Sequence, residues 1–218
     1  WLNETFSWDG DYYRIPPRQV IPKPVQKPHP PIWMAATQPS SFSTAGQFGL
    51  GALAFGVGDP NDLKSRIQIY RENIKNAKPI GRVINNQVAA VTFGYCDTDD
   101  ALALEIGGEG VSWFTAAGQR MVQDFREAYG TDVESYRHYT TAFEKETGYG
   151  EGVSIKEQVQ SGALCIGDPD TCLEVAKKYQ EIGVDQLVFI MQIGHIPHNK
   201  IVDSIKLFGD RVIPFCRD

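Results

Sequence analysis

The sequence predicts an α/β fold built on a parallel sheet. Four short apolar runs without strict alternation occupy residues 32–36, 50–55, 88–95 and 186–191. Such runs are typical of strands that are buried on both faces. Helical patterns follow them, and strands that alternate with helices indicate right-handed crossovers between parallel strands. Four such units fit either an open doubly wound sheet or half of a closed barrel, and the pattern alone does not choose between the two.

The N-terminal segment, residues 1–31, is predicted to be an extended strap. Most of the prolines lie before residue 40, with a dense run in residues 15–31. Proline lacks an N–H group and restricts the residue before it, so this run cannot form a helix. Trp8, Tyr12 and Tyr13 precede the run and indicate that the strap packs against a surface.

Helix signals follow the first three apolar runs. One helix is predicted from Pro39 to about Phe48, and a second begins at Asp59. The apolar face of the second helix consists of Leu63, Ile67, Tyr70 and Ile74. A third helix begins in the acidic stretch at residues 97–100, which suits the positive end of a helix dipole, and we expect it to end near Arg120.

The chain is predicted to be one partial barrel domain over residues 1–218. After the strap, residues 32–120 supply three β/α units. Residues 121–162 are polar and rich in Tyr, Glu and Gly, and are predicted to form an inserted helical excursion. Residues 163–218 then supply the final β/α units, with a helix that starts at Asp168.

Composition and charge exclude several classes of protein. The net charge is −6 and the Lys and Arg residues are scattered, which argues against a nucleic-acid partner. No apolar run reaches the roughly 18 residues of a membrane helix, and no leader is evident, so we expect a cytoplasmic protein. The four cysteines, Cys96, Cys165, Cys172 and Cys216, lack zinc-ligand spacing and indicate reduced thiols, with a Cys165–Cys172 bridge as the alternative.

The most informative candidate site is the turn that leaves the first apolar run. Its residues are Ala36, Thr37, Gln38, Ser40 and Ser41. Free backbone N–H groups and the positive end of a helix dipole meet at such a turn, which favours a bound phosphate. Loops at this end of parallel strands also build active sites. The alternative interpretation is an ordinary helix cap, which needs only one Ser or Thr.

Catalytic residues are less well indicated. The sequence contains no G-x-G-x-x-G, no P-loop and no G-x-S-x-G motif. His195 and His198 follow the last apolar run and are secondary candidates for a general acid or base. The alternative is that they are loop histidines without a catalytic role. His29 lies in the strap and His138 lies in the excursion.

Several segments together resemble the bacterial-luciferase-like flavin-dependent monooxygenase superfamily. The strap and first strand (PKPVQKPHPPIWMAA, residues 22–36) carry the most specific part of the resemblance. Residues 6–13, 45–51, 183–188 and 207–215 extend it, with gaps, over nearly the whole chain.

The resemblance implies a (β/α)8 TIM barrel that binds reduced FMN, or alternatively a deazaflavin, and uses O2 to oxygenate a small organic substrate. It implies that the turn from Ala36 to Ser41 contacts the flavin phosphate and ring edge, and that a separate flavin reductase supplies the cofactor. Two other functions fit the same resemblance: a deazaflavin-dependent dehydrogenase or reductase, and a non-catalytic flavin-binding subunit.

The match begins in the middle of the family's barrel, so the four strands correspond to its fifth to eighth. We therefore expect only the second half of a barrel, with two free strand edges and an open apolar face. On this hypothesis the chain is a fragment, or it pairs with a complementing chain or with a second copy as a homo-oligomer.

Overall fold

The computed structural model describes residues 1–55, 59–130 and 153–216. Most of the predicted excursion, including His138, lies outside the described residues. The strands are β1 (Phe6–Asp9), β2 (Arg14–Arg18), β3 (Trp33–Ala36), β4 (Gly51–Phe55), β5 (Val88–Cys96), β6 (Cys165–Gly167) and β7 (Gln186–Ile190). The helices are α1 (Pro39–Gln47), α2 (Pro60–Ile74), α3 (Asp100–Tyr129), α4 (Ile155–Ser161), α5 (Pro169–Glu181) and α6 (His198–Leu207). A π-helical turn (Phe208–Val212) and a 3-10 turn (Ile213–Phe215) follow.

The main sheet is parallel, as the sequence predicts. Its strands lie side by side in the order β3, β4, β5 and β7, which is also their order along the chain. The short strand β6 pairs with the last residues of β5. A consecutive order of parallel strands is that of a barrel wall, whereas a doubly wound sheet reverses its strand order at a switch point. The α/β fold and its parallel barrel type are therefore confirmed.

One face of this sheet, called here the outer face, is covered by helices. Small side chains of Ala36, Ala54 and Ala90 point to it and are buried. The helices α1, α2 and α5 pack their largest apolar side chains there: Phe42, Leu63, Ile67, Tyr70, Val175 and Tyr179. The single proton of the buried Tyr70 hydroxyl is shared between the carbonyl oxygens of Leu50 (3.0 Å) and Asn85 (2.8 Å), and burial raises the pKa of this hydroxyl to about 12.

The helix α3 lies on the opposite face, called here the inner face. Phe93 and Tyr95 alternate with Ala90 along β5, so they point to the other side of the sheet. They form a second core with residues of α3, α4 and the segments around β6 and β7: Ala103, Val111, Val159, Leu164, Ile166 and Ile193. The helix continues past the end predicted near Arg120, to Tyr129. None of the helices in the described ranges is both long and apolar enough to cross a membrane.

Glycines in α3 allow it to approach the sheet closely. A Cβ atom at Gly107 would lie 2.9 Å from Cγ2 of Ile166 and 3.1 Å from Cβ of Tyr95. One at Gly110 would lie 3.0 Å from Cγ1 of Ile193. These distances are shorter than ordinary carbon contacts. The helix therefore owes its position across the upper part of β5 to the missing side chains.

The N-terminal segment differs from the predicted strap. It begins with an antiparallel hairpin of β1 and β2, in which Trp8 pairs with Ile15, so residues 14–18 are strand rather than plain strap. The exclusion of a helix is correct. Trp8, Tyr12 and Tyr13 are 57%, 92% and 73% exposed, so the surface they were expected to pack on is not supplied by the described residues.

Buried His29 fixes the end of this segment to the N-terminal edge of the sheet. Its Nδ1 lies 2.7 Å from the Pro30 carbonyl oxygen, and its Nε2 accepts a hydrogen bond from the Arg82 N–H at 2.8 Å. Because Nε2 accepts this bond, Nδ1 is the nitrogen that donates to the Pro30 carbonyl oxygen. His29 thus has a structural role at the edge opposite the candidate site.

Candidate functional site

The carboxyl ends of the parallel strands meet at one rim of the sheet, and the predicted turn lies there. Ala36 is the last residue of β3 and is fully buried against α1. Thr37, Gln38 and Ser40 are exposed, and Ser41 is half-buried. The structure thus brings the five predicted residues together in a single strand-to-helix turn that opens on the rim.

The Ser41 hydroxyl holds this turn in shape. Its Oγ accepts hydrogen bonds from the N–H groups of Thr37 and Gln38, both at 3.1 Å, and donates to the Gln38 carbonyl at 2.8 Å. Two backbone donors that the sequence suggested for an anion are therefore already used, and Pro39 has no N–H group. Ser41 is a positioning residue in this turn.

The remaining donors of the turn belong to Ser40. Within the described part of the chain its N–H and hydroxyl have no hydrogen-bond partner, and its side chain is exposed. Its carbonyl accepts from Thr44 Oγ1 at 2.9 Å as part of the helix. Ser40 accordingly offers one backbone and one side-chain donor at the positive end of the α1 dipole.

A cation that the sequence did not single out completes the turn. Arg66 is half-buried on α2, and its Nη1 donates to the Thr37 carbonyl at 2.9 Å. Its guanidinium group therefore lies next to the first residues of α1. The contact spans a long stretch of chain, and no local pattern in the sequence shows which neighbour an arginine on a helix will reach.

The donor set fits a phosphate monoester. Such a group carries negative charge and needs a cation with several N–H or O–H donors. Arg66 supplies the charge, and Ser40 supplies the backbone and hydroxyl donors beside a helix N-terminus. The site has fewer backbone donors than the sequence predicted, because the Ser41 side chain occupies two of them.

The structure does not bring His195 and His198 to this turn. They follow β7, which is separated from β3 by three strand spacings, about 14 Å. Both are exposed, and His198 is the first residue of α6. The His195 ring meets the edge of Trp113 with centroids 5.6 Å apart. No hydrogen bond from the described residues orients either imidazole as a general base.

A row of aromatic side chains at the rim was missed by sequence analysis. Phe93 of β5 contacts Phe114 of α3 edge-on at 4.8 Å between centroids, and Phe55 of β4 at 6.3 Å. Phe55 ends β4 and is 43% exposed. The alternation of side chains along the strands could have predicted it. Phe55 and Phe93 occupy positions that point to the inner face, away from the face covered by α1, α2 and α5.

The cysteines do not add a reactive group to the site. All four are free, and Cys96, Cys165 and Cys172 are buried together beside β6. Hydrogen bonding to the Cys165 thiol raises the pKa of Cys172, with burial adding to the effect. Hydrogen bonding to Cys172 and burial likewise raise the pKa of Cys96. No group of three or more metal-ligating side chains in the described ranges could hold a metal ion.

Comparison with protein families gives a match over most of the chain. The family model for luciferase-like monooxygenases matches residues 1–186. A segment of 44 residues is 39% identical to the oxygenase component of the flavin-dependent trigonelline monooxygenase of Acinetobacter baylyi, covering 20% of this chain and 12% of that protein.

Solved structures resemble the whole chain in fold. A monooxygenase from Streptomyces bottropensis superimposes with a TM-score of 0.67 at 18% identity, over 100% of this chain and 57% of that one. The coenzyme F420-dependent tetrahydromethanopterin reductase of Methanopyrus kandleri gives 0.62 at 25% identity, over 97% and 58%. The oxygenating constituent of 3,6-diketocamphane monooxygenase of Pseudomonas putida, in complex with FMN, gives 0.61 at 16% identity, over 97% and 58%. The chain therefore spans less than two thirds of the length of these proteins.

Proposed function

The chain belongs to the luciferase-like monooxygenase family, and from that membership we propose that it forms the second half of a flavin-dependent monooxygenase barrel. The complete protein would use reduced FMN and O2 to oxygenate a small organic substrate. The observation that supports this most is the β3–α1 turn, which places Ser40 and Arg66 on the rim where barrel enzymes bind ligands.

The residues of the turn would contribute to cofactor binding in different ways. Arg66 and Ser40 would bind the phosphate, and Ser41 would keep the turn in the shape that leaves Ser40 free. Thr37 and Gln38 would approach the ring edge, whereas Ala36, which is fully buried against α1, would only anchor the start of the turn. The bound flavin would supply the redox chemistry with O2, and the protein would orient it and exclude water.

The inner face of the sheet supports the proposal that the chain supplies only half of the barrel. Of the described strands, β3 pairs with β4 alone and β7 with β5 alone, so each has a free edge. Phe55 and Val188, on the same face, are both 43% exposed. We propose that four further parallel strands, from a complementing segment or from a second copy, cover this face. A compact, soluble monomer of the isolated chain in size-exclusion chromatography with light scattering would contradict this.

Titration with FMN and riboflavin tests the cofactor site, because riboflavin is the same ring without the phosphate. We expect FMN to bind more tightly than riboflavin, by about 1–3 kcal/mol per charged hydrogen bond. Arg66→Gln and Ser40→Ala should each reduce that difference and leave riboflavin affinity unchanged.

Two control variants distinguish a loss of ligand contacts from a loss of stability of the turn. Ser65→Ala, next to Arg66 on the exposed side of α2, should leave both affinities unchanged. Ser41→Ala should lower the free energy of unfolding by about 1 kcal/mol and weaken both ligands, since it removes the acceptor of two amides. Equal affinity for FMN and riboflavin in the unaltered chain would remove the turn from the cofactor site.

A deazaflavin-dependent dehydrogenase or reductase is the second candidate. The reductase of Methanopyrus kandleri, named for coenzyme F420, is the solved structure with the highest identity among the three described above. Titration with coenzyme F420 against FMN discriminates the two functions, and consumption of O2 supports the first. Flavin binding without any turnover would instead favour a non-catalytic flavin-binding subunit.

A separate flavin reductase is the proposed partner. The Acinetobacter relative is described as an oxygenase component, which implies a second component in that system. We expect the complete enzyme here to depend on reduced flavin from such a reductase. Turnover with chemically reduced FMN alone, at the rate reached with a reductase, would show that no complex between the two proteins is needed.

A further inference from the structure

The register of the sheet sorts the inner-face side chains into rows. Ala35, Leu53, Ala89 and Gln186 are paired across the four strands and form a lower row. Phe55, Val91 and Val188 form the next row, and Phe93 and Ile190 form the row nearest the rim. Paired residues of neighbouring strands lie on the same side of a sheet. The lower rows therefore correspond to the packed interior of a barrel, and the upper rows correspond to its mouth.

The side chains that form these rows are all uncharged. None of the five strands of the main sheet contains an Asp, Glu, Lys or Arg residue. The α3 residues that face the upper rows are also uncharged, and they include Phe114, Val111 and the glycines at 107 and 110. Arg66, the cation of the proposed phosphate site, lies outside the mouth beside the β3–α1 turn.

Aromatic rings dominate the accessible part of this mouth. Phe55 projects from the end of β4 and is partly exposed, with its ring edge-on to Phe93. Phe114 packs on Phe93 from α3. Trp113, one residue earlier on α3, is 44% exposed and pairs with His195 from the loop after β7. The described part of the chain thus offers a molecule at the mouth ring faces and edges.

We propose that the substrate bound at this mouth is an uncharged aromatic or alicyclic molecule, held by Phe55, Phe114 and Trp113, with the buried ring of Phe93 supporting Phe55 and Phe114 from behind. The inference rests on the proposed function in that it takes the mouth as the substrate site. An apolar, aromatic wall stabilises an uncharged ring through burial and edge-to-face contacts. A carboxylate or sulfonate placed against the same wall loses hydration, and the described phenylalanine and tryptophan side chains offer it no cation in return. Phe55 is then a specificity-determining residue.

A pair of probes of nearly equal shape tests the proposal. Acetophenone carries a methyl group where benzoate carries a negatively charged oxygen, and the two molecules are otherwise the same. Their relative affinity therefore reports whether the wall prefers an uncharged or a charged ligand. We expect saturation-transfer NMR at pH 7.5 to give acetophenone an affinity at least about tenfold higher than that of benzoate. Phe55→Arg should reverse the order, because it places a cation at the rim.

Val25→Arg is the matched control, since Val25 is highly exposed in the N-terminal segment and should leave both affinities unchanged. The unfolding midpoints of both variants show whether they fold. Equal or tighter binding of benzoate, no binding of acetophenone at millimolar concentration, or no effect of Phe55→Arg would each overturn the proposal. The FMN and riboflavin titration is independent, so loss of the cofactor site with the probe preference retained would refute the proposed function alone.

Discussion

The two faces of the main sheet are made from the same strands and differ in how they are completed. On the outer face, small strand residues lie under large side chains of α1, α2, α5 and the π-helical turn, and the described residues close the core. On the inner face, α3 covers only the upper part of β5 and the short strand β6, and apolar side chains below it stay accessible. The strand residues on both faces are uncharged. The amino-acid composition of the strands therefore does not distinguish a completed core from a surface that binds a ligand or further strands.

The largest expected effect comes from truncating one phenylalanine on each face. Phe42→Ala should lower the free energy of unfolding by about 3–5 kcal/mol, because the Phe42 side chain of α1 is fully buried in the outer-face core. Phe55→Ala should lower it by about 1 kcal/mol, because its ring is already partly exposed. Urea denaturation followed by circular dichroism measures both values. Similar losses for the two variants would mean that the inner face is closed as well as the outer one.

A smaller effect is expected where α3 meets the inner face. Gly107→Ala should destabilise the chain by about 1–3 kcal/mol, since the new Cβ would press on Ile166 and Tyr95. Gly209→Ala is the matched control, because nothing lies within 4 Å of a Cβ there, and it should change stability by less than about 1 kcal/mol. If thermal melts gave Gly107→Ala the stability of the unaltered chain, α3 would not be held as close to the sheet as described.

The smallest effect is kinetic and concerns the thiols where the two cores meet. At pH 8, Ellman's reagent should modify Cys216 in the native protein well before Cys96, Cys165 and Cys172. Burial shields the three core thiols from the reagent, and the raised pKa values of Cys96 and Cys172 also lower their thiolate fractions. Burial raises the pKa of Cys216 as well, but its thiol is only half-buried. All four should react at once in denaturant. Rapid native modification of Cys172 would show that the junction beside β6 opens.

The sequence was sufficient to predict the elements of the wall. The strands near 33–36, 51–55, 88–96 and 186–190 were predicted closely because uncharged, apolar runs of that length suit a parallel sheet. The starts of α2 and α5 were predicted because Asp59 and Asp168 are followed by proline, and both aspartates do accept hydrogen bonds from the first turn.

What the sequence could not predict depends on contacts distant along the chain. The apolar stripe of α3 shows that the helix is packed, but not on which face of the sheet. A serine after a strand can bind a ligand, or it can bind the backbone of its own turn. Only the structure shows that Ser41 binds the backbone, whereas the donors of Ser40 remain available to a ligand. Arg66 was missed because its contact with the Thr37 carbonyl joins α2 to a different β/α unit.

The helix α3 is inserted between β5 and β6 and does not change the order of the strands in the wall. The chain leaves the wall at the end of β5 and returns at β6, where three residues resume pairing with that same strand. Because the segment between β5 and β6 starts and ends on one strand, its length can change without altering the register of the pairs that β5 forms with β4 and β7. The insertion between β5 and β6 can therefore vary while the wall keeps its register, provided that the residues of α3 and Leu164 that form the second core are retained.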